Sequence, residues 1–187
     1  MSSAPGGMPA AKAAALGPMI LLDAFGRVHE ELPQILAGLS IDDLTWRPDP
    51  DANSIGWLVW HLTRVQDDHL AALATACERP RDQAWRAWRG RFDLPYGDGI
   101  GYGHTSTEVG AFTIGDPGLL LGYHGAVHIL TTEVIEELSA RDYARIVDTR
   151  WDPPVNAAAR LVSVVNDTTA HCGQAAYLAG MLQRRTA

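Results

Sequence analysis

Asp167 and His171 stand four residues apart in Val164-Val-Asn-Asp-Thr-Thr-Ala-His-Cys-Gly-Gln. On a helix that spacing is just over one turn, so the two side chains lie about 40° apart on one face. The same stripe carries Leu161, Val164, Leu178 and Leu182. A carboxylate and an imidazole on an apolar stripe must be paired, neutralised or bound to something. A metal ion suits both, and a search for a third ligand leads to His61, in Trp57-Leu-Val-Trp-His-Leu-Thr-Arg-Val, with Trp57 or Leu58 and Val65 on its side of the helix. Two imidazoles and one carboxylate with a fourth position open match a catalytic zinc site. The same donors suit nickel, iron or manganese.

Other residues compete for attention. His124 and His128 repeat the four-residue spacing, so they are a rival ligand pair. Thr131 and Gly125 make their stripe less apolar, and a place lining the substrate pocket or a polar helix edge is expected instead. His69 falls about 80° from His61 around its helix and either faces the same cavity or lies at the surface. Gln174, almost one turn beyond His171, is placed to orient that ligand or touch substrate. Cys172 directly follows a ligand, but a 100° rotation takes it off the ligand face, and it reads as a small buried hydrophobe. Asp67-Asp68 and Glu136-Glu137 read as solvated faces, and His29 and His104 belong to no constellation. No residue is singled out as the catalytic group itself.

The elements that must hold these residues are helical. Leu21, Phe25, Val28, Leu32, Ile35 and Leu39 repeat at helical steps after Pro18, with a kink or restart expected at Pro33. Asn53 or Ser54 caps a second helix that runs to about Cys77. Residues 79–104, rich in Gly, Arg and Trp, show no period and form a long excursion that packs on the bundle through its indoles. A short helical turn is expected over 107–112, and Asp116-Pro117 opens a third long helix with Leu120, Tyr123, Val127, Leu130, Val134 and Leu138 inward. A brief helical crossover spans 139–147, and Trp151-Asp-Pro-Pro leads into a fourth long helix ending near Arg184. The fold class is all-α: a four-helix bundle with long connections, a kind of fold that places metal sites between facing helices.

The 187 residues suit one domain at 16–187 behind a flexible tail at 1–15. A formal charge of −7 with no basic run argues against nucleic acid as a partner. The two cysteines form no disulfide framework and suit a reducing, cytoplasmic setting. No apolar run reaches the ~18 residues of a membrane span.

The Trp60-His61-Leu62 step and the Asp167-x-x-x-His171-x-Gly173-Gln174 run resemble the DinB-like superfamily across about residues 18–184. That group includes mycothiol- and bacillithiol-dependent S-transferases and a mycothiol-dependent maleylpyruvate isomerase. The resemblance implies His61, Asp167 and His171 as ligands of a divalent metal, zinc first, and a low-molecular-weight thiol plus an electrophilic small molecule as substrates. The metal-bound thiolate would attack the electrophile. Related bundles often pair, so a homodimer is an expectation. The chain departs from its relatives at Asp167, where they carry Glu or His; the shorter side chain requires a metal closer to the last helix. A metal-dependent hydrolase or isomerase, or a non-catalytic small-molecule-binding bundle, is the alternative.

Overall fold

The computed structural model describes the backbone of residues 10–185 and the side chains of 16–185. Four long helices make the bundle: α1 (Ala10–Leu36), α3 (Ile55–Ala76), α6 (Gly118–Glu136) and α7 (Ala157–Arg185). Between them lie α2 (Ile41–Thr45), α4 (Trp85–Phe92), α5 (Ser106–Gly110), a 3-10 turn at Asp142–Ala144 and two short strands, β1 (Ile146–Asp148) and β2 (Val155–Asn156). Both α1 and α3 pack against α6 and α7, which places α1 and α3 at opposite corners. No helix among the described residues is long and apolar enough to cross a membrane.

Local chemistry sets the helix ends. The Ser54 hydroxyl accepts from the Trp57 amide and starts α3. Asp116 accepts from the Gly118 amide at 2.8 Å and starts α6. The first helix departs from expectation at Pro18, and no restart occurs at Pro33. Its described part starts at Ala10, and most of the tail expected over 1–15 lies outside the described residues. Pro18 and Pro33 are both interior, and the helix continues to Leu36. At Pro33 the cost is one missing donor to the His29 carbonyl close to the helix end, and the burial of Phe25, Val28, Leu32 and Ile35 offsets it. The segment before α7 is the other departure. Instead of opening the helix at Trp151, residues 146–156 form an antiparallel hairpin, pairing Ile146 with Asn156 and Asp148 with Val155.

The apolar core comes in two clusters. One gathers Leu32, Leu58, Leu62, Leu120, Val127 and Cys172; the other gathers Phe25, Leu70, Leu73, Val134, Leu161 and Val164. Between them the helices bury polar side chains: Thr63, Arg64, Gln66 and Asp67 on α3, His124 and Thr131 on α6, and Thr168 on α7. A polar belt therefore crosses the middle of the bundle, and α3 carries most of it.

Asp67 is the hub of that belt, which corrects its reading as a solvated residue: it is fully buried. It accepts from the amides of Ala84 and Trp85 at 2.9 and 2.8 Å, from the Tyr123 hydroxyl at 2.7 Å and from Arg64 at 3.3 Å. Arg64, equally buried, donates to the carbonyls of Asp98 and Gly99. The 79–104 excursion is thus fastened at both ends to a single turn of α3. Its indoles also pack inward: Trp85 is buried and donates to the Gly97 carbonyl, and Trp88 lies over Gly122, where a Cβ would collide with it. Removing the carboxylate leaves a buried guanidinium unpaired, so Asp67→Ala should cost about 3–5 kcal/mol. Urea unfolding of the variant beside the native chain measures this, and a loss below about 1 kcal/mol would show that the hub is dispensable.

Candidate metal centre

His61 enters from the middle of α3, with only 6% of its surface exposed. Asp167 and His171 come from the facing side of α7, their side chains 31% and 20% exposed. They sit at the edge of the apolar stripe, whose fully buried members are Leu161, Val164, Thr168 and Cys172. One donor atom from each of the three residues lies within 4.8 Å of the other two, the sole such His/Cys/Asp/Glu group among the described residues. Donors sharing one centre at bonds of about 2.1 Å stand about 3.4 Å apart, so a modest closure completes the set.

Each ligand is aimed by a neighbour. The His61 Nδ1–H donates to the Ile100 carbonyl at 2.5 Å, which leaves the Nε2 lone pair for the site. His61 also stacks on Trp57, ring centroids 4.6 Å apart. Across the site, His171 Nδ1–H donates to Gln174 Oε1 at 2.8 Å, so its Nε2 also faces the centre, 3.6 Å from Asp167 Oδ2. Asp167 Oδ1 is enclosed and accepts no hydrogen bond. A buried carboxylate oxygen without a donor is costly, and a cation held by the two imidazoles removes that cost. The residues therefore fit a divalent metal, with Asp167 as the anionic member of the set.

Protonation behaviour agrees. Burial pushes the His61 imidazole below its ordinary value, and nearby His171 adds to the effect, so His61 is neutral and ready to ligate. His171 is also lowered by burial, but Asp167 and Gln174 outweigh this and leave it raised.

The backbone contact to His61 depends on a residue that side-chain reasoning missed. Gly101 follows Ile100 with φ +89°, and a Cβ there would stand 2.7 Å from His61 Nδ1 and 3.0 Å from the Trp60 ring. Only glycine lets the loop approach this closely. The signal present in the sequence is the alternation Gly97, Gly99, Gly101, Gly103.

The remaining candidates separate. His69 lines the same cavity as His61. Gln174 both orients His171 and lines an open depression on the other flank, beside Leu58 and Tyr177. Cys172 is buried, its thiol pushed up to about 12 by burial and by Glu31, which disqualifies it as a nucleophile. His124 and His128 line neither cavity; they face α1, where His128 stacks on His29 at 4.1 Å and His124 at 5.5 Å. Nearly parallel rings, 6° apart for His29 and His128, aim their lone pairs along separate planes, so the stack does not converge on an ion. Burial pushes His124 down to about 3, keeping it neutral. His104, unassigned by spacing, accepts from Trp57 Nε1 at 3.4 Å within the aromatic packing over α3.

Two predictions follow from this geometry. Gly101→Ala should weaken zinc binding about 10–100-fold with the helical signal unchanged, as loss of a ligand-orienting contact does; zinc competition titration reads it, and native affinity in the variant would refute the loop's role. Metal and proton also compete for His171. Because its value is raised above 6.5, apparent affinity should begin to fall at a pH above that midpoint and keep falling as acidity increases. Isothermal titration across pH 5 to 8 tests the sign, and affinity that rises on acidification would contradict it.

Comparison with known proteins places this geometry. A crystal structure described as a conserved protein of locus from Enterococcus faecalis superposes with a TM-score of 0.78 at 28% identity, covering 86% of this chain and 94% of that one. Curated proteins give no match. The DinB superfamily model matches residues 24–175, a span holding all three candidate ligands and the loop that aims His61, and the chain belongs to the DinB superfamily.

Proposed function

We propose that this protein is a metal-dependent transferase that joins a low-molecular-weight thiol, mycothiol-like in kind, to an electrophilic small molecule. The observation that carries the reading is a pair of imidazoles whose outer nitrogens are both committed to oxygen acceptors, flanking a carboxylate oxygen with no donor. His61, Asp167 and His171 would hold a divalent cation by three protein ligands, the number found in catalytic rather than structural zinc sites. Zinc is the first choice because two neutral nitrogens and one oxygen suit it; nickel, iron and manganese tolerate the same donors.

When bound, the ion supplies Lewis acidity that lowers the thiol's pKa and raises the thiolate fraction from a few per cent near neutral pH. The chain's own residues do the rest. His61 and His171 add no charge and Asp167 adds −1, so the centre retains about +1 to favour a thiolate over the thiol. Ile100 and Gln174 hold the two rings in the ligating orientation before substrate arrives, so no reorganisation is required during reaction. Trp57 closes one face of His61 and limits water there. The cavity of about 590 Å³ beside His61 and Asp167 is large enough for a small-molecule substrate to reach them.

Conjugation of a generic electrophile such as monochlorobimane to a panel of small thiols, with zinc-loaded and chelator-stripped protein, tests the reading. The loaded protein should exceed the stripped one at least tenfold, with activity returning on zinc addition. Equal rates in the two preparations would overturn a metal-dependent transfer.

A further inference from the structure

The cavity beside the triad has a second polar end. On α7 the residues Arg160, Ser163 and Asp167 follow one another at three- and four-residue steps, and all three line the cavity. Seven residues of helix separate Arg160 from Asp167, a rise of about 10 Å. Opposite them the hairpin brings Asp148 and Arg150, while α3 brings Asp68 and His69. Tyr102 and Trp151, 84% and 61% exposed, add apolar surface to the lining.

Hydrogen-bond accounting gives this wall a direction. Asp148 Oδ1 accepts from the amide and Nε of Arg150, and Oδ2 accepts from Arg150 Nη2 at 2.9 Å and Arg160 Nη2 at 2.7 Å. Its lone pairs are filled. His69 Nε2 meets Arg160 Nη1 at 3.3 Å and its Nδ1 meets Asp68, so that ring is committed as well. Those contacts use two of the five N–H donors on Arg160, whose side chain is 15% exposed. The wall thus keeps spare donors on its guanidinium groups and on the Ser163 hydroxyl, and its central acceptor is saturated. It is built to receive an acceptor group.

Charge makes that reception conditional. Asp68, Asp148 and Asp167 against Arg150 and Arg160 give the lining a formal −1, with its histidines neutral. A divalent ion on the triad turns this to +1.

We propose that this cavity binds a carboxylate-bearing small molecule, its carboxylate on Arg160 and its reactive end at the triad about 10 Å away, and that the bound metal is required for tight binding. The charge reversal rests on the metal-centre reading above. By reciprocity the carboxylate ligand must tighten the metal to the same degree. Arg160 is held rigidly by Asp148 and His69, so little freedom is lost when a carboxylate joins its fork.

Three probes separate the ideas on the zinc-loaded full chain: 6-mercaptohexanoate, its neutral counterpart 6-mercaptohexan-1-ol, and hexanoate, which has no thiol. Native protein should bind 6-mercaptohexanoate at least tenfold more tightly than the alcohol by calorimetry. Arg160→Gln should bring the two within twofold while keeping one zinc per chain, and Arg160→Lys, which preserves a cation against Asp148, should keep part of the preference. Stripping zinc should weaken hexanoate at least tenfold; equal affinity with and without zinc overturns the linkage. An undiminished preference in Arg160→Gln, or equal binding of both thiols to native protein, overturns the carboxylate site. If the alcohol still binds in that last case, the thiol reading stands alone. Conversely, Arg160-dependent binding of hexanoate with no gain from either thiol supports the carboxylate site and removes the thiol reading.

Discussion

A buried imidazole must place its N–H on an acceptor, and the His61 bond to the Ile100 carbonyl is the contact on which the centre depends. The bond decides which nitrogen of His61 faces α7, while burial keeps the ring neutral and able to ligate. To supply that carbonyl, the chain leaves the bundle after α3, forms α4 and returns at residues 97–104, where Gly101 alone can lie against the ring. The long excursion is thus the arm that aims His61, and Gly101 is the condition of its close approach.

That arm would be free to move were it not tied to the helix that carries His61. Arg64 and Asp67, within two turns of His61, take the carbonyls of residues 98 and 99 and the amides of residues 84 and 85. Ligand, aiming loop and clamp therefore share one stretch of α3. Burying so many polar groups costs stability unless each is satisfied, and the two apolar clusters above and below the belt make that cost tolerable. On the opposite side α7 divides its faces sharply. Leu161, Val164 and Cys172 pack inward, and one step round the helix Arg160, Ser163, Asp167 and His171 face the site and its cavity.

Helical periodicity was enough to read the four long helices, because Leu58, Leu62, Val127, Leu161 and their neighbours repeat faithfully along each buried face. The grouping of His61, Asp167 and His171 was legible for the same reason: helix phase put Asp167 and His171 on one face, and an imidazole among Trp57, Leu58 and Val65 stood out on another. Contacts made by backbone were not legible. Nothing in the type of Ile100 marks its carbonyl as a hydrogen-bond acceptor for His61, and Gly101 carries a message only once the ring beside it is known. Asp67 was misread because an acidic pair on a helix is ordinarily solvated; its burial follows from the excursion folding over it, a tertiary event with no local pattern. The hairpin escaped because its strands, three and two residues long, are too short for alternation to register. The histidine stack drew His124 and His128 towards α1, a direction that their mutual spacing could not reveal.

The account stands on a metal held jointly by α3 and α7. The most direct measurement is elemental analysis of the purified native chain beside His61→Ala and Asp167→Ala, with circular dichroism to establish that all three are folded. One divalent ion per native chain, lost from both variants while the helical signal persists, is the predicted result. A native chain that neither carries a stoichiometric metal nor acquires one on titration, or variants that both retain it, would contradict the account.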